Sequence, residues 1–88
     1  MTERQVRIVN PLGMHARPAA QFVKVAAAYT CQIEVIGDGA PVNGKSIMGV
    51  MMLAAECGST LTLRADGADE LPALEALAAL VADGFGEA

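Results

Sequence analysis

The run Thr60-Leu61-Thr62-Leu63-Arg64-Ala65 alternates strictly between polar and apolar side chains. Successive side chains on a strand point to opposite faces. The run therefore predicts a strand with Leu61, Leu63 and Ala65 facing inward and Thr60, Thr62 and Arg64 facing water. A strand wetted on one side belongs to a sheet, mainly antiparallel, that is covered on its other face only. The rest of the chain must supply the cover. A chain of 88 residues has room for one core, because a second would lack the apolar area to fold. The expectation is a single domain over residues 1–88.

Two further stretches alternate. Residues 4–9 put Val6 and Ile8 on one face, and residues 32–36 do the same with Ile33 and Val35. Gly37-Asp38-Gly39 reads as a hairpin turn, and a short strand over 40–43 fits at a sheet edge because of Pro41. Elsewhere the period lengthens. Ala19, Phe22, Val23 and Ala26 have helical spacing over 16 to about 28, with Gln21 and Lys24 on the other side. Pro18 is tolerated only in a first turn, where its missing N–H has no intrahelical partner to lose, so this helix starts beside His15. Ser46 is the expected N-cap of a short helix to about Leu53. Leu74, Leu77, Ala78 and Val81 stripe a last helix from about Glu70 to Asp83, which Gly84 stops. The order βαββαβα gives a two-layer α+β sandwich.

Composition excludes several functions. With 53% hydrophobic and 18% charged residues the chain is not a disordered tail. Ten acidic against six basic residues, with 3% aromatics, make it a poor nucleic-acid binder. One His and two Cys are too few for an ordinary four-ligand zinc site. Cys31 and Cys57 form no C-x-x-C pair and read as reduced, half-buried thiols. The N-terminal residues lack a signal-peptide core and no apolar run spans a bilayer, so a cytoplasmic location without membrane insertion is expected. Charge is uneven. Residues 1–55 hold five basic and three acidic groups, whereas residues 56–88 hold one basic and seven acidic. The half containing the only His is mildly positive, which suits an anion or an acidic partner.

That His lies in Gly13-Met14-His15-Ala16-Arg17-Pro18, at a loop-to-helix junction. Unpaired N–H groups and the positive end of the helix dipole favour an anion there. Arg17 can approach the same anion with its planar fork, and Gly13 allows a tight turn. As a metal ligand His15 lacks companions. As a general base it lacks a nearby carboxylate and nucleophile, which ranks a hydrolytic enzyme last. As a nucleophile toward phosphorus it needs only a neutral ring nitrogen, a positive setting and a partner that brings the phosphoryl group in line. On spacing alone a cap or surface role for this His ranks ahead of the nucleophile.

Three stretches resemble a known family, the histidine-containing phosphocarrier (HPr) proteins of the bacterial phosphoenolpyruvate-dependent sugar phosphotransferase system. Residues 12–23 (Leu-Gly-Met-His-Ala-Arg-Pro-Ala-Ala-Gln-Phe-Val) are similar to its active-site signature. Residues 43–51 (Asn-Gly-Lys-Ser-Ile-Met-Gly-Val-Met) are similar to its regulatory-serine signature, and residues 65–70 resemble the lead-in to its last helix. The resemblance implies an open-faced β-sandwich, with a four-stranded antiparallel sheet and three helices on one face. It implies that His15 accepts a phosphoryl group at Nδ1 from enzyme I and passes it to the A domain of a sugar permease. Arg17 and the backbone amides of Ala16 and Arg17 would hold the phosphoryl oxygens. Ser46 would be the target of a regulatory kinase/phosphorylase. Ile47, Met48 and Met51, with Lys24 and Lys45, would form the docking patch, although core packing is the plainer role for Met51. The carrier would act as a monomer and need no metal or cofactor of its own. Magnesium belongs to the upstream autophosphorylation step.

The chain departs from the family's pattern in having few lysines around the patch, with Ala27 and Gly49 at places where a basic residue is sometimes seen. Ala54 stands where a glycine is common and Met52 where a small polar residue is common, both read as packing variations. Competing readings are a carrier of the nitrogen-related or another phosphotransferase branch, and a regulatory module that binds partners when Ser46 is phosphorylated.

Overall fold

A computed structural model of the chain describes residues 1–87. The strands are β1 (Thr2–Arg7), β2 (Gln32–Ile36), β3 (Val42–Asn43) and β4 (Thr60–Asp66), and the helices are α1 (Ala16–Ala27), α2 (Ile47–Met51) and α3 (Glu70–Ala82). The strands form one antiparallel sheet in the order β1-β4-β2-β3. The last strand in sequence is thus inserted between the first two. The resulting open-faced sandwich is the architecture expected.

The alternation in β4 is realised as read, with Leu61, Leu63 and Ala65 buried and Thr60 exposed. Beneath the helices they join Ile8, Phe22, Val35, Val50, Leu77 and Val81 in one core. The opposite face of the sheet is polar. There Arg64 bridges Glu3 of β1 at 2.8 Å and Glu34 of β2 at 3.3 Å, each directly opposite it in register. Such exposed ion pairs contribute little stability and favour this register over its neighbours.

Helix α3 lies on β1 and β4 and against α1, whereas α2 packs on α1 and reaches β3. Ser46 caps α2, its hydroxyl accepting the Gly49 N–H at 3.1 Å. Helix α2 ends at Met51, short of the expected Leu53, and β3 is confined to two residues. Strand β1 begins two residues earlier than its own alternation suggests, because Thr2 pairs with Ala65 of β4. Asp69 precedes α3 but its carboxylate reaches across, accepting the Thr30 N–H at 2.8 Å and the Cys31 N–H at 2.9 Å. These bonds, that from the Thr30 amide first, hold its carboxyl below the usual carboxylate range and tie the α1–β2 turn to α3.

The two cysteines are both free, but they are not alike: Cys31 is buried and Cys57 exposed. Burial, with Asp69 alongside, pushes the Cys31 thiol up, which keeps it protonated and unreactive. Among the described residues no helix is long and apolar enough to cross a membrane.

Candidate functional site

The loop before α1 is shaped by a close approach of two backbones. The Met14 N–H donates to the Ala55 carbonyl at 2.8 Å. Gly13 has φ +69°, and a Cβ there would stand 2.4 Å from the same oxygen. Only glycine permits both the left-handed turn and the contact. Met14 is buried as the plug of the loop, and the chain emerges with His15 at the N-cap of α1 in extended conformation.

The His15 side chain caps nothing in its own helix. The first intrahelical bond runs from the Ala19 N–H to the His15 carbonyl. Pro18 has no N–H, so Ala16 and Arg17 carry the open donors of the first turn, and neither makes a backbone bond among the described residues. Two amides at the positive end of a 12-residue helix, beside an imidazole, can hold the oxygens of an anion. Arg17 is exposed and makes no side-chain hydrogen bond or ion pair to the described residues. It lines an open cleft of about 430 Å³ with Pro11, Leu12, Gln21 and Glu87.

Glu87 was not foreseen. The absence of a carboxylate near His15 in sequence does not hold in space. Helix α3 is stopped as expected at Gly84, with φ +65°, and the chain turns back through Gly84–Gly86. Phe85 is buried, and this brings Glu87 Oε2 to 2.9 Å from His15 Nε2. Its other oxygen accepts from Asn10 Nδ2 at 3.0 Å, and the same nitrogen donates to the Gly13 carbonyl at 2.7 Å. The acidic C-terminal half thus sends one carboxylate into the mildly positive N-terminal half. A single buried Phe between glycines near the end of the chain is the signal that could have announced a docked tail.

The expected docking residues divide. Ile47 is 46% exposed, Met48 75% and Met51 42%, so Met51 belongs to the surface and not to the core. Met52, read as a packing variation, is 78% exposed and extends the apolar patch, whereas Leu12, 75% exposed, lines the cleft beside Arg17. Lys24 is exposed on α1. Lys45 is less free than expected, because its Nζ donates to the Tyr29 carbonyl at 2.6 Å. Ala54 follows α2 with φ +50°, a backbone conformation suited to glycine, so its departure from the pattern is one of backbone and not of packing. Ser46 sits at the start of α2, whose far end leads to Ala55 and the His15 loop.

Comparison with known proteins follows the same lines. The family model described as the PTS HPr component phosphorylation site matches residues 2–83. The phosphocarrier protein HPr of Cupriavidus necator is 49% identical over 87 residues, covering 99% of this chain and 98% of that protein. An HPr-like protein Crh of Halalkalibacterium halodurans is also 49% identical, over 92% of this chain and 96% of its own. Among solved structures, that of HPr-C-His from Thermoanaerobacter tengcongensis superposes with a TM-score of 0.95 at 45% identity, covering 100% of this chain and 99% of that one. The chain belongs to the HPr family and is a phosphocarrier of the phosphotransferase system rather than an enzyme.

Proposed function

We propose that this chain is one phosphocarrier domain in which His15 takes a phosphoryl group from phosphorylated enzyme I and passes it to the A domain of a sugar permease. The observation that carries the reading is the pair of open amides, Ala16 and Arg17, beside the His15 ring at the start of α1. Phosphoryl transfer consists mostly of positioning and charge stabilisation, so a site this small is sufficient when each partner brings the other half. Arg17 neutralises the equatorial oxygens. The exposed apolar residues Ile47, Met48, Met51 and Met52 support a docking face that two partners use in turn, and methionine adapts to both. Lys24 adds charge at its margin. The carrier acts as a monomer in the cytoplasm.

The test is to mix the protein with phosphoenolpyruvate and enzyme I and to measure acid-labile phosphate. One phosphoryl group per chain is expected, and none in His15→Ala. Labelling that survives in that variant removes His15 from the role.

Regulation at Ser46 is the second part of the reading. The hydroxyl already occupies the N-cap of α2, where a phosphate is favoured by the first amides and adds about −1.5 to −2 charges to the docking face. Phosphorylation by an ATP-dependent kinase is expected to weaken docking to an acidic partner. Transfer from enzyme I at equal rate to native and Ser46→Asp protein would oppose this.

A further inference from the structure

The tail contact decides which nitrogen of His15 is free. An ionised carboxylate only accepts, so the hydrogen in the 2.9 Å bond between Glu87 and His15 belongs to Nε2. In the neutral ring the lone pair then lies on Nδ1. Glu87 is itself held in place. The Asn10 amide nitrogen donates to Glu87 Oε1 and to the Gly13 carbonyl, and since both partners only accept, the orientation of the amide is settled by chemistry. Asn10 is 1% exposed, and its amide oxygen finds no partner among the described residues. An unpaired buried oxygen is costly, so the residue is poorly explained by packing alone. Buried Phe85 anchors the segment that carries Glu87.

We infer that Glu87, clamped by Asn10, is a positioning residue for phosphoryl transfer: it holds His15 as the Nε2–H tautomer and so directs the phosphoryl group to Nδ1. The inference deepens the carrier reading above and rests on it. In the forward step the Nδ1 lone pair forms the N–P bond while the donor's bond to phosphorus breaks and its electron pair leaves with the donor. The proton stays on Nε2, and the ring gains positive charge as the bond forms. Glu87 faces that charge at the opposite nitrogen. In the return step the N–P bond breaks and its pair goes back to Nδ1. A ring still protonated at Nε2 departs as neutral imidazole, the better leaving group.

The experiment compares native protein with Glu87→Ala, Glu87→Gln and Asn10→Ala. Nitrogen-15 NMR of the unphosphorylated His15 ring reads the tautomer, phosphorus-31 NMR of the phosphorylated protein reads the isomer, and a stopped assay with enzyme I reads the rate. The native ring is expected as Nε2–H, with phosphate on Nδ1 alone. In Glu87→Ala the Nδ1–H form should rise, the Nε2 isomer should appear, and transfer should slow about three- to tenfold, a charge-assisted bond discounted for partial exposure. Glu87→Gln keeps volume but has a single acceptor oxygen, which cannot serve both Asn10 Nδ2 and His15 Nε2. With that oxygen on Asn10 its amide nitrogen faces the ring and favours Nδ1–H, so the Nε2–H preference should weaken and the rate should fall. Asn10→Ala should move the ring signals in the direction of Glu87→Ala. An unchanged tautomer ratio and a single isomer in Glu87→Ala would overturn the inference. If the native chain takes no phosphoryl group, the carrier reading fails separately, and the ring spectrum still decides the role of Glu87.

Discussion

Replacing Gly13 by alanine tests the loop that presents His15. The added Cβ would stand 2.4 Å from the Ala55 carbonyl oxygen and 3.0 Å from Glu56 Cα, both backbone atoms with no flexible end to swing away. The backbone must therefore move. Two costs follow. Alanine in the left-handed region costs about 1–2 kcal/mol relative to its ordinary conformations. Separating the two loops strains or breaks the bond from the Met14 N–H to the Ala55 carbonyl, a loss of about 0.5–1.5 kcal/mol. Together they come to about 1.5–3.5 kcal/mol. At about 4–8 °C per kcal/mol for a domain of this size, the unfolding midpoint should fall by roughly 6–28 °C. Thermal and urea unfolding followed by circular dichroism measure this, and amide NMR locates the disturbance at Met14, His15 and Ala55. Gly39→Ala is the control: a Cβ there meets nothing within 4 Å, and the change should stay within about 0.5 kcal/mol. A loss under about 1 kcal/mol in Gly13→Ala, with the Met14 amide unmoved, would refute the argument from close approach.

Other outcomes follow from the same geometry. Ala54→Gly should stabilise the protein by about 0.5–1 kcal/mol in urea unfolding, because relief of the left-handed backbone exceeds the added chain entropy of glycine. Ser46→Ala removes the cap of α2 and should cost about 1 kcal/mol by the same measurement, while Ser46→Asp should recover part of it. Hydrogen bonds hold the carboxyls of Asp69 and Glu70 below their usual range, with Thr30 the first cause for the former and Thr2 for the latter. The folded protein therefore binds these protons less readily than the unfolded chain. Their stabilisation is complete above the ordinary carboxylate range near pH ~4 and is lost as pH falls through the lowered folded values. Urea unfolding from pH 7 to pH 3 should show the decline, with a shallower slope in Asp69→Asn.

What the sequence revealed depended on whether neighbours in the chain carried the information. Strand β4 and helix α1 were legible because periods of two and 3.6 are local patterns, and the core residues Leu61, Leu63, Phe22 and Ala26 lie where those periods put them. The N-cap at Ser46 was legible for the same reason, being a contact over three residues. The start of β1 was not, because Thr2 and Glu3 carry no apolar signal and pair only through a strand some sixty residues away. The exposure of Met51 and Met52 escaped because apolar residues on a short helix look the same whether they face a core or a partner. Glu87 escaped altogether, since it meets a ring 72 positions earlier in the chain. The site's imidazole, its arginine and its amides were local, and its carboxylate was tertiary.

The strand order has a consequence for how the protein is made. The strand between β1 and β2 is β4, which is the last to leave the ribosome. Until Thr60–Asp66 is available, β1 has no neighbour at all, and β2 has only the two residues of β3. A nascent chain therefore holds β1 unpaired and β2 all but unpaired until β4 has been made, and only then can the sheet close. Long-range pairing of this kind is slow compared with helix formation. Before β4 is available the pairing edges of β1 and β2 are open, and unpaired strand edges are where a chain is exposed to aggregation.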